Sequence, residues 1–337
     1  MIQKIREYSW KDVLSCRKEI FGFTAIWIIL FHIHDSISLG YFPGSNYVAY
    51  VMSVGNSGVD IFLFFSAVGL CSSMEKHSVG AFYKNRVSRI CLPFLLAAVP
   101  YFVWYDFIFA KDGIWQFFAN ISTVNFWFTD TYPVWYVAFI VVLYAAFPLI
   151  YKADKKSRHI STVALILLDI VLEYVLYSNG SVIYANAEKA LSRFPVFLIG
   201  VLMAPLVLEG RKISLYQVVA ALFAWIGVFL VAISAPLPLF AVRYLYAIMS
   251  VCFVVVFSFI RTVIPWRGVP KLFGWLGNIS LEIYVVHVLL LRIIRYNQLW
   301  EITPRHSFWY ISIVCVSVVL AKILAILANQ QKKKIHG

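Results

Sequence analysis

The stretch "FGFTAIWIILFHIHDS", Phe21–Ser36, opens with thirteen almost wholly apolar residues, Phe21–Ile33. A run of this kind reads as the body of a membrane-spanning helix. Its outer half nevertheless carries His32, His34 and Asp35. A polar group in hydrocarbon costs free energy unless it is paired or wetted, so each one asks for a reason. Helical geometry sets His32 and His34 about 200° apart, which argues against a metal site built from that pair alone. His32, Asp35 and Ser36 do share a face, at i, i+3 and i+4. His32 lies about 12 residues into the span, about 18 Å from its cytosolic edge at 1.5 Å per residue. Two readings of this histidine stay open. One is an interfacial side chain bonded to a neighbouring carbonyl; the other is a base in a wet cavity, since neutral imidazole suits proton transfer near pH 7.

The rest of the chain has the same character. Of its 337 residues 62% are hydrophobic and 13% charged, about half the charge of an ordinary soluble domain. The fold class is therefore all-α and integral to the membrane. At about 20 apolar residues per crossing, the sequence yields about ten spans: 20–36, 48–73, 90–109, 133–151, 160–177, 192–208, 214–234, 238–260, 272–294 and 308–330. Together they form one domain over 1–337. No cleavable signal peptide is expected, because Met1–Glu19 is polar and no short apolar core with a cleavage site follows. The five cysteines are odd in number and lie mostly in or beside apolar segments, which speaks for packing and against a disulfide framework.

The net charge of +13 could suggest nucleic acid, but its distribution excludes that. Of the 29 Lys and Arg, 22 fall in alternate loops and the two termini, leaving seven for the other side. The positive-inside rule then puts both termini in the cytosol.

Several polar residues lie deep within these spans. Asp60, in "GNSGVDIFLFFSAVGL", forms a stripe with Asn56 and Ser57. An Asp at mid-helix costs about 2.5–3.5 kcal/mol on insertion scales, so it points to function or pairing. Ser280, Tyr284 and His287 fall at i, i+4 and i+7 in "LGNISLEIYVVHVLLL", one stripe on the ninth span. Asp169 and Glu173 are an acidic pair in the fifth span, with Arg243 as the expected partner of Glu173. No glycine-rich phosphate loop occurs, and no metal-ligand cluster is expected.

Two segments border the membrane. The loop Ala110–Tyr132 is crowded with rings, among them Trp115, Phe118, Trp127 and Phe128, and also holds Asp112 and Asp130. It reads either as an interfacial aromatic belt or as a lid that stacks on an extracellular ligand such as a sugar. In "FYKNRVSRICLPF", Arg86 and Arg89 stand at i, i+3 with Lys84 beside them. They read as topology anchors or as a site for a phosphorylated cytosolic donor.

Taken in order, these segments resemble the acyltransferase-3 family, ten-span membrane O-acyltransferases of cell-surface polysaccharides and related molecules. "FGFTAIWIILFH" is similar to the family's first helix with its functional histidine, here His32. "GVDIFLFFSAVGL" resembles the second-helix motif, and Phe82, Arg86, Arg89 and Pro93 carry the Phe-x-x-x-Arg-x-x-Arg-x-x-x-Pro pattern. "VWYVAFIVVLYAAFPLI" resembles the fourth span with its leading Trp135, "RFPVFLIGVLMA" the sixth, and "LGNISLEIYVVHVLLL" the Leu-Gly-x-x-Ser-x-x-x-Tyr-x-x-His segment. One departure stands out. The family usually places Arg or Lys eleven residues before the histidine, where this chain has Phe21; Arg17 or Lys18, about one turn earlier, could stand in by snorkelling. The family's larger members add an extracellular hydrolase-like domain, which is not expected here.

The resemblance implies an acyl-CoA donor, most often acetyl-CoA, on the cytosolic side, with no metal. It implies a hydroxyl of a glycan or lipid-linked glycan as acceptor on the outer side, and a multi-pass protein in a bacterial plasma membrane. His32 is expected to be the base, with Asp60 orienting its imidazole. Arg86, Arg89 and Lys84 are expected to hold the CoA phosphates. Tyr284, His287, Ser280 and Trp135 are expected to bind the acceptor in the outer half. The competing class is a proton-coupled transporter or a non-catalytic membrane partner, since intramembrane histidines and carboxylates also build proton relays.

Overall fold

The computed structural model describes residues 7–36, 46–129, 132–180, 182–264, 268–299 and 306–336. Among them the chain is helical, with one isolated antiparallel bridge between Ser9 and Lys212. Eight helical segments are long and apolar enough to cross a membrane, and a bent pair makes a ninth. That is one fewer than the ten expected. The expected first span is the 20-residue helix α2, Arg17–Ser36, preceded by the short α1, Trp10–Ser15. Helix α2 is not among the nine, since Arg17, Lys18, Glu19 and Asp35 charge its two ends. At 1.5 Å per residue α2 rises about 30 Å, the thickness of a bilayer core.

The second span is composite: α3 (Asn46–Ser53), a 3₁₀ turn (Val54–Ser57) and α4 (Gly58–Lys76). It sits at the centre of the bundle, with Ile61, Leu63, Phe64 and Phe65 buried. The third span begins earlier than expected. Helix α5, Val79–Val103, starts at Ser78, whose hydroxyl accepts from the Ala81 N–H at 3.4 Å. The basic segment is therefore helical, and Arg86 and Arg89 share one face. After a π-helical turn, Trp104–Phe109, come the short α6, Ile114–Ile121, and a 3₁₀ turn, Val124–Trp127.

Then follow α7 (Trp135–Ser157), α8 (Ile160–Ser178), α9 (Val182–Leu191), α10 (Phe194–Glu209), α11 (Leu215–Ser234) and α12 (Leu239–Val263). Helices α8 and α11 lie at the periphery. They turn Leu168, Val171 and Tyr174, and Tyr216 and Phe223, outward, as helices bathed in lipid do. The expected single span 272–294 is instead two helices, α13 (Val269–Asn278) and α14 (Ser280–Tyr296), bent by 74°. The last helix, α15, covers His306–His336.

Two glycines explain how closely α2 and α13 meet. A Cβ on Gly22 would stand 1.9 Å from the Phe273 carbonyl oxygen, and one on Gly277 1.9 Å from that of Lys18. Each obstacle is backbone, so it cannot rotate away. Small residues at such crossings let helices approach within membranes. Gly277→Ala is expected to separate the pair and lower stability by about 1–3 kcal/mol, read as an earlier thermal unfolding of the purified protein.

At the N-terminal end, the Tyr8 hydroxyl donates to the Val255 carbonyl at 2.7 Å, and the Trp10 N–H to the Arg211 carbonyl at 3.0 Å. These contacts hold the segment before α2 against α12 and the start of α11.

Candidate functional site

Two cavities enter the bundle from opposite ends and share one wall residue, Val59. The first opens at the end that carries both termini. It measures about 110 Å³ and brings together Arg17, Phe21, Arg86, Arg89, Ser280 and Tyr284. Its apolar walls include Phe62 and Phe65 from α4. The Arg86 guanidinium lies 5.6 Å from the Phe82 ring centroid and 5.8 Å from that of Tyr144, and its Nε is buried without a hydrogen-bond partner. Arg17 reaches the cavity from the first turn of α2, 5.9 Å from the Phe21 ring centroid. A cation thus enters from one turn before Phe21. Lys84 does not enter: two residues from Arg86 on the same helix, it points about 200° away and is exposed. That expectation is corrected. A groove of about 270 Å³ shares Arg89, Ser280 and Leu281 with this cavity and adds Lys322 and Lys332 from α15.

The second cavity lies at the far end and measures about 430 Å³. His32 and Asp35 enter it from α2, Asn56 from the turn before α4, and Trp135 from the start of α7. Five cations also line it: Lys189, Arg193, Arg243, Arg292 and Arg295. His32 therefore faces neither lipid nor sealed packing.

His287 connects the two. Its ring is buried, with its centroid 5.3 Å from His32 and 5.7 Å from Tyr284. His287 Nδ1 lies 2.8 Å from the Ile283 carbonyl, which can only accept, so the proton is assigned to Nδ1. Nε2 is left buried without a hydrogen-bond partner. The Tyr284 hydroxyl accepts from the Tyr136 N–H at 3.1 Å. One series of rings, His32, His287 and Tyr284, thereby runs from the far cavity to the terminal one.

This corrects the expected placement of the α14 stripe. Ser280 and Tyr284 line the terminal cavity, and His287 lies between the cavities. The cause is the bend before Ser280. It starts α14 at the terminal cavity, so three residues on one helix face descend past the septum.

Asp60 is also placed differently. It is fully buried, its Oδ1 is 3.6 Å from Arg193 Nε, and neither carboxylate oxygen has a hydrogen-bond partner. It therefore does not hold the His32 imidazole. Val59 faces the cavities, and one residue along a helix is about 100° further round, which turns Asp60 toward Arg193. The Arg193 guanidinium lies 5.0 Å from the Trp135 ring centroid and donates to the Lys189 carbonyl at 3.1 Å. Asp60 therefore lies behind Arg193, which lines the far cavity.

The expected pairing of Arg243 with Glu173 is corrected too. Arg243 pairs with Glu188, while Glu173 and Asp169 accept from the Tyr244 hydroxyl at 3.3 and 3.4 Å. Sequence reasoning passed over Arg193 and Lys189, because Arg193 stands at the edge of the expected span 192–208 and Lys189 before it, where a cation reads as a loop residue.

The aromatic loop divides between its two readings. Trp115, Phe118 and Phe128 are exposed, whereas Tyr132 is buried and lines the far cavity. The buried Asp106 accepts twice from Asn120 Nδ2, at 2.9 and 3.0 Å, and the Tyr132 hydroxyl donates to the Asn120 carbonyl at 2.7 Å. Asp112 is exposed, and Asp130 lies outside the described residues. No group of three or more potential metal ligands occurs among the described residues.

The profile of an acyltransferase domain, that of the acyltransferase-3 family, matches residues 22–327. No curated protein and no solved structure matches the chain. The matched segment takes in α2 with His32, the helical Arg86–Arg89 face and the bent α13–α14 pair, the elements that build both cavities: the chain belongs to the acyltransferase-3 family and is a multi-pass membrane acyltransferase.

Proposed function

We propose that the protein moves an acyl group, acetyl in the simplest case, from cytosolic acyl-CoA to a hydroxyl of a glycan or lipid-linked glycan on the other side of the membrane. The observation that carries this reading is the pair of opposed cavities with Val59 as their common wall. A reaction between a donor from one side and an acceptor from the other needs such an arrangement.

The residues fit both substrates. Arg17, Arg86 and Arg89 offer guanidiniums to the CoA phosphates, with the unpartnered Arg86 Nε as a donor in waiting. Phe21, Phe62 and Phe65 give the pantetheine arm an apolar channel. The groove with Lys322 and Lys332 extends the basic surface outward for the nucleotide.

At the septum the acceptor oxygen attacks the thioester carbonyl. The new C–O bond forms, the C–S bond breaks, and the hydroxyl proton passes to His32. Protonated His32 then returns a proton to the departing CoA thiolate. A sugar hydroxyl is a poor nucleophile at neutral pH, so this base is what makes attack feasible. His287, tilted 41° against His32 at 5.3 Å and with Nε2 free to accept, would position that ring.

The test is acyl transfer by purified protein with acyl-CoA varied. Arg86→Ala, Arg89→Ala and Arg17→Ala are each expected to raise the apparent KM for acyl-CoA about tenfold or more, the worth of a charge-assisted hydrogen bond, with a smaller effect on kcat. Unchanged KM values would leave these residues as topology anchors. Substrate flux that follows a proton gradient without acyl-CoA would replace the acyltransfer reading with transport.

A further inference from the structure

The loop count leaves seven Lys and Arg for the far side of the membrane, and five of them line one cavity. Asp35 is the carboxylate among the described lining residues. Arg193 faces Asp60, and Arg243 faces Glu188. Arg292 and Arg295 have no ion-pair partner among the described residues. They stand at i, i+3 on the last turns of α14 and so project on one face.

The end of a helix favours cations, which accounts for placing charge there. It does not account for Lys189, Arg193 and Arg243 converging on the same space from α9, the turn before α10, and α12. Like charges gathered near low-dielectric surroundings repel, and such residues in membrane proteins mark substrate paths. Arg292, Lys189 and Arg193 line the same cavity as His32, so an anion among them would share the space of the proposed reacting centre.

We infer that the acceptor is itself anionic: it carries an oxyanion, carboxylate or phosphate, near the hydroxyl to be acylated, and Arg292 and Arg295 hold that oxyanion. This rests on the proposed transfer to a glycan and narrows its substrate class. Planar guanidiniums match both oxyanions in bidentate geometry. Trp135, already beneath Arg193, offers a ring face for the sugar.

The test uses three sugars that differ chiefly in charge: glucose, glucuronic acid and glucose 1-phosphate. Inorganic phosphate is the fourth probe. Binding to the purified full-length protein is read by thermal shift without acyl-CoA, and transfer separately by CoA release from acetyl-CoA. At least one charged sugar is expected to bind about tenfold tighter than glucose, with a preference that weakens as salt rises. Which of the two binds tells carboxylate from phosphate.

Arg292→Gln combined with Arg295→Gln is expected to abolish the preference, and Arg292→Lys to keep part of it. Arg295 is exposed, so Arg295→Gln alone gives a variant whose loss of preference is not a loss of fold. Equal binding of all three sugars would overturn the inference. So would a preference that survives the double substitution, or inorganic phosphate binding as tightly as glucose 1-phosphate. A charged-sugar preference with no transfer to any sugar would uphold the anion site and overturn the glycan acyltransfer reading.

Discussion

His32→Ala is expected to lower kcat for acyl transfer by about 10²–10⁴-fold, the usual worth of a positioned general base. The protein should still fold, because the ring lines a cavity and borders the His287 ring across 5.3 Å without being the centre of a packed core. The control is a thermal unfolding midpoint close to that of the unchanged protein. His32→Gln sharpens the comparison, since it keeps a polar side chain of similar reach but cannot take a proton at neutral pH. Near-full activity in either variant, with normal folding, would remove His32 from the chemistry. The same loss accompanied by unfolding would be a packing effect, which is why both readouts are needed.

Arg193→Met is expected to have the largest effect on stability, about 3–5 kcal/mol, because it leaves the buried Asp60 without its counter-charge. Both members are almost fully inaccessible, and Asp60 has no hydrogen-bond partner to replace the lost guanidinium. Pairing the change with Asp60→Asn should recover a large part of the loss, since removing both charges of a buried pair often costs little. Denaturant titration of the single and double variants measures the coupling. If Arg193→Met alone matches the original protein, the pair contributes nothing to the fold. Activity adds a second axis: a double variant that is stable but slow would show Arg193 serving the far cavity as well as Asp60.

Hydropathy and charge alternation made the helical bundle, the succession of apolar spans and the end shared by both termini legible, because these depend on each residue's exchange between water and lipid. Helical periodicity did the same for two local arrangements. Arg86 and Arg89 had to share a face, as did Ser280, Tyr284 and His287; the arginines line one cavity with Ser280 and Tyr284, and the His287 ring lies 5.7 Å from that of Tyr284.

Contacts between helices were decided by tertiary structure alone. Asp60 was read as a partner of His32 and meets Arg193; Arg243 was read against Glu173 and meets Glu188. A depth along a span says how far a side chain lies from the interface, but not the rotation or tilt that turns it toward one neighbour. Those depend on how backbones interlock, as where Gly22 and Gly277 let α2 and α13 touch. The 74° bend at Ile279 likewise carries Tyr284 to the terminal cavity, whereas a single straight span was read as placing it in the outer half. Five far-side cations, spread over more than a hundred residues of sequence, became one cavity by the same means. Arg292 and Arg295 share a helix face, and Lys189 lies four residues before Arg193, but no local pattern links one pair to the other or to Arg243. Their meeting is a property of the packed bundle, where covering apolar surface and matching close contacts fix every helix against the others at once.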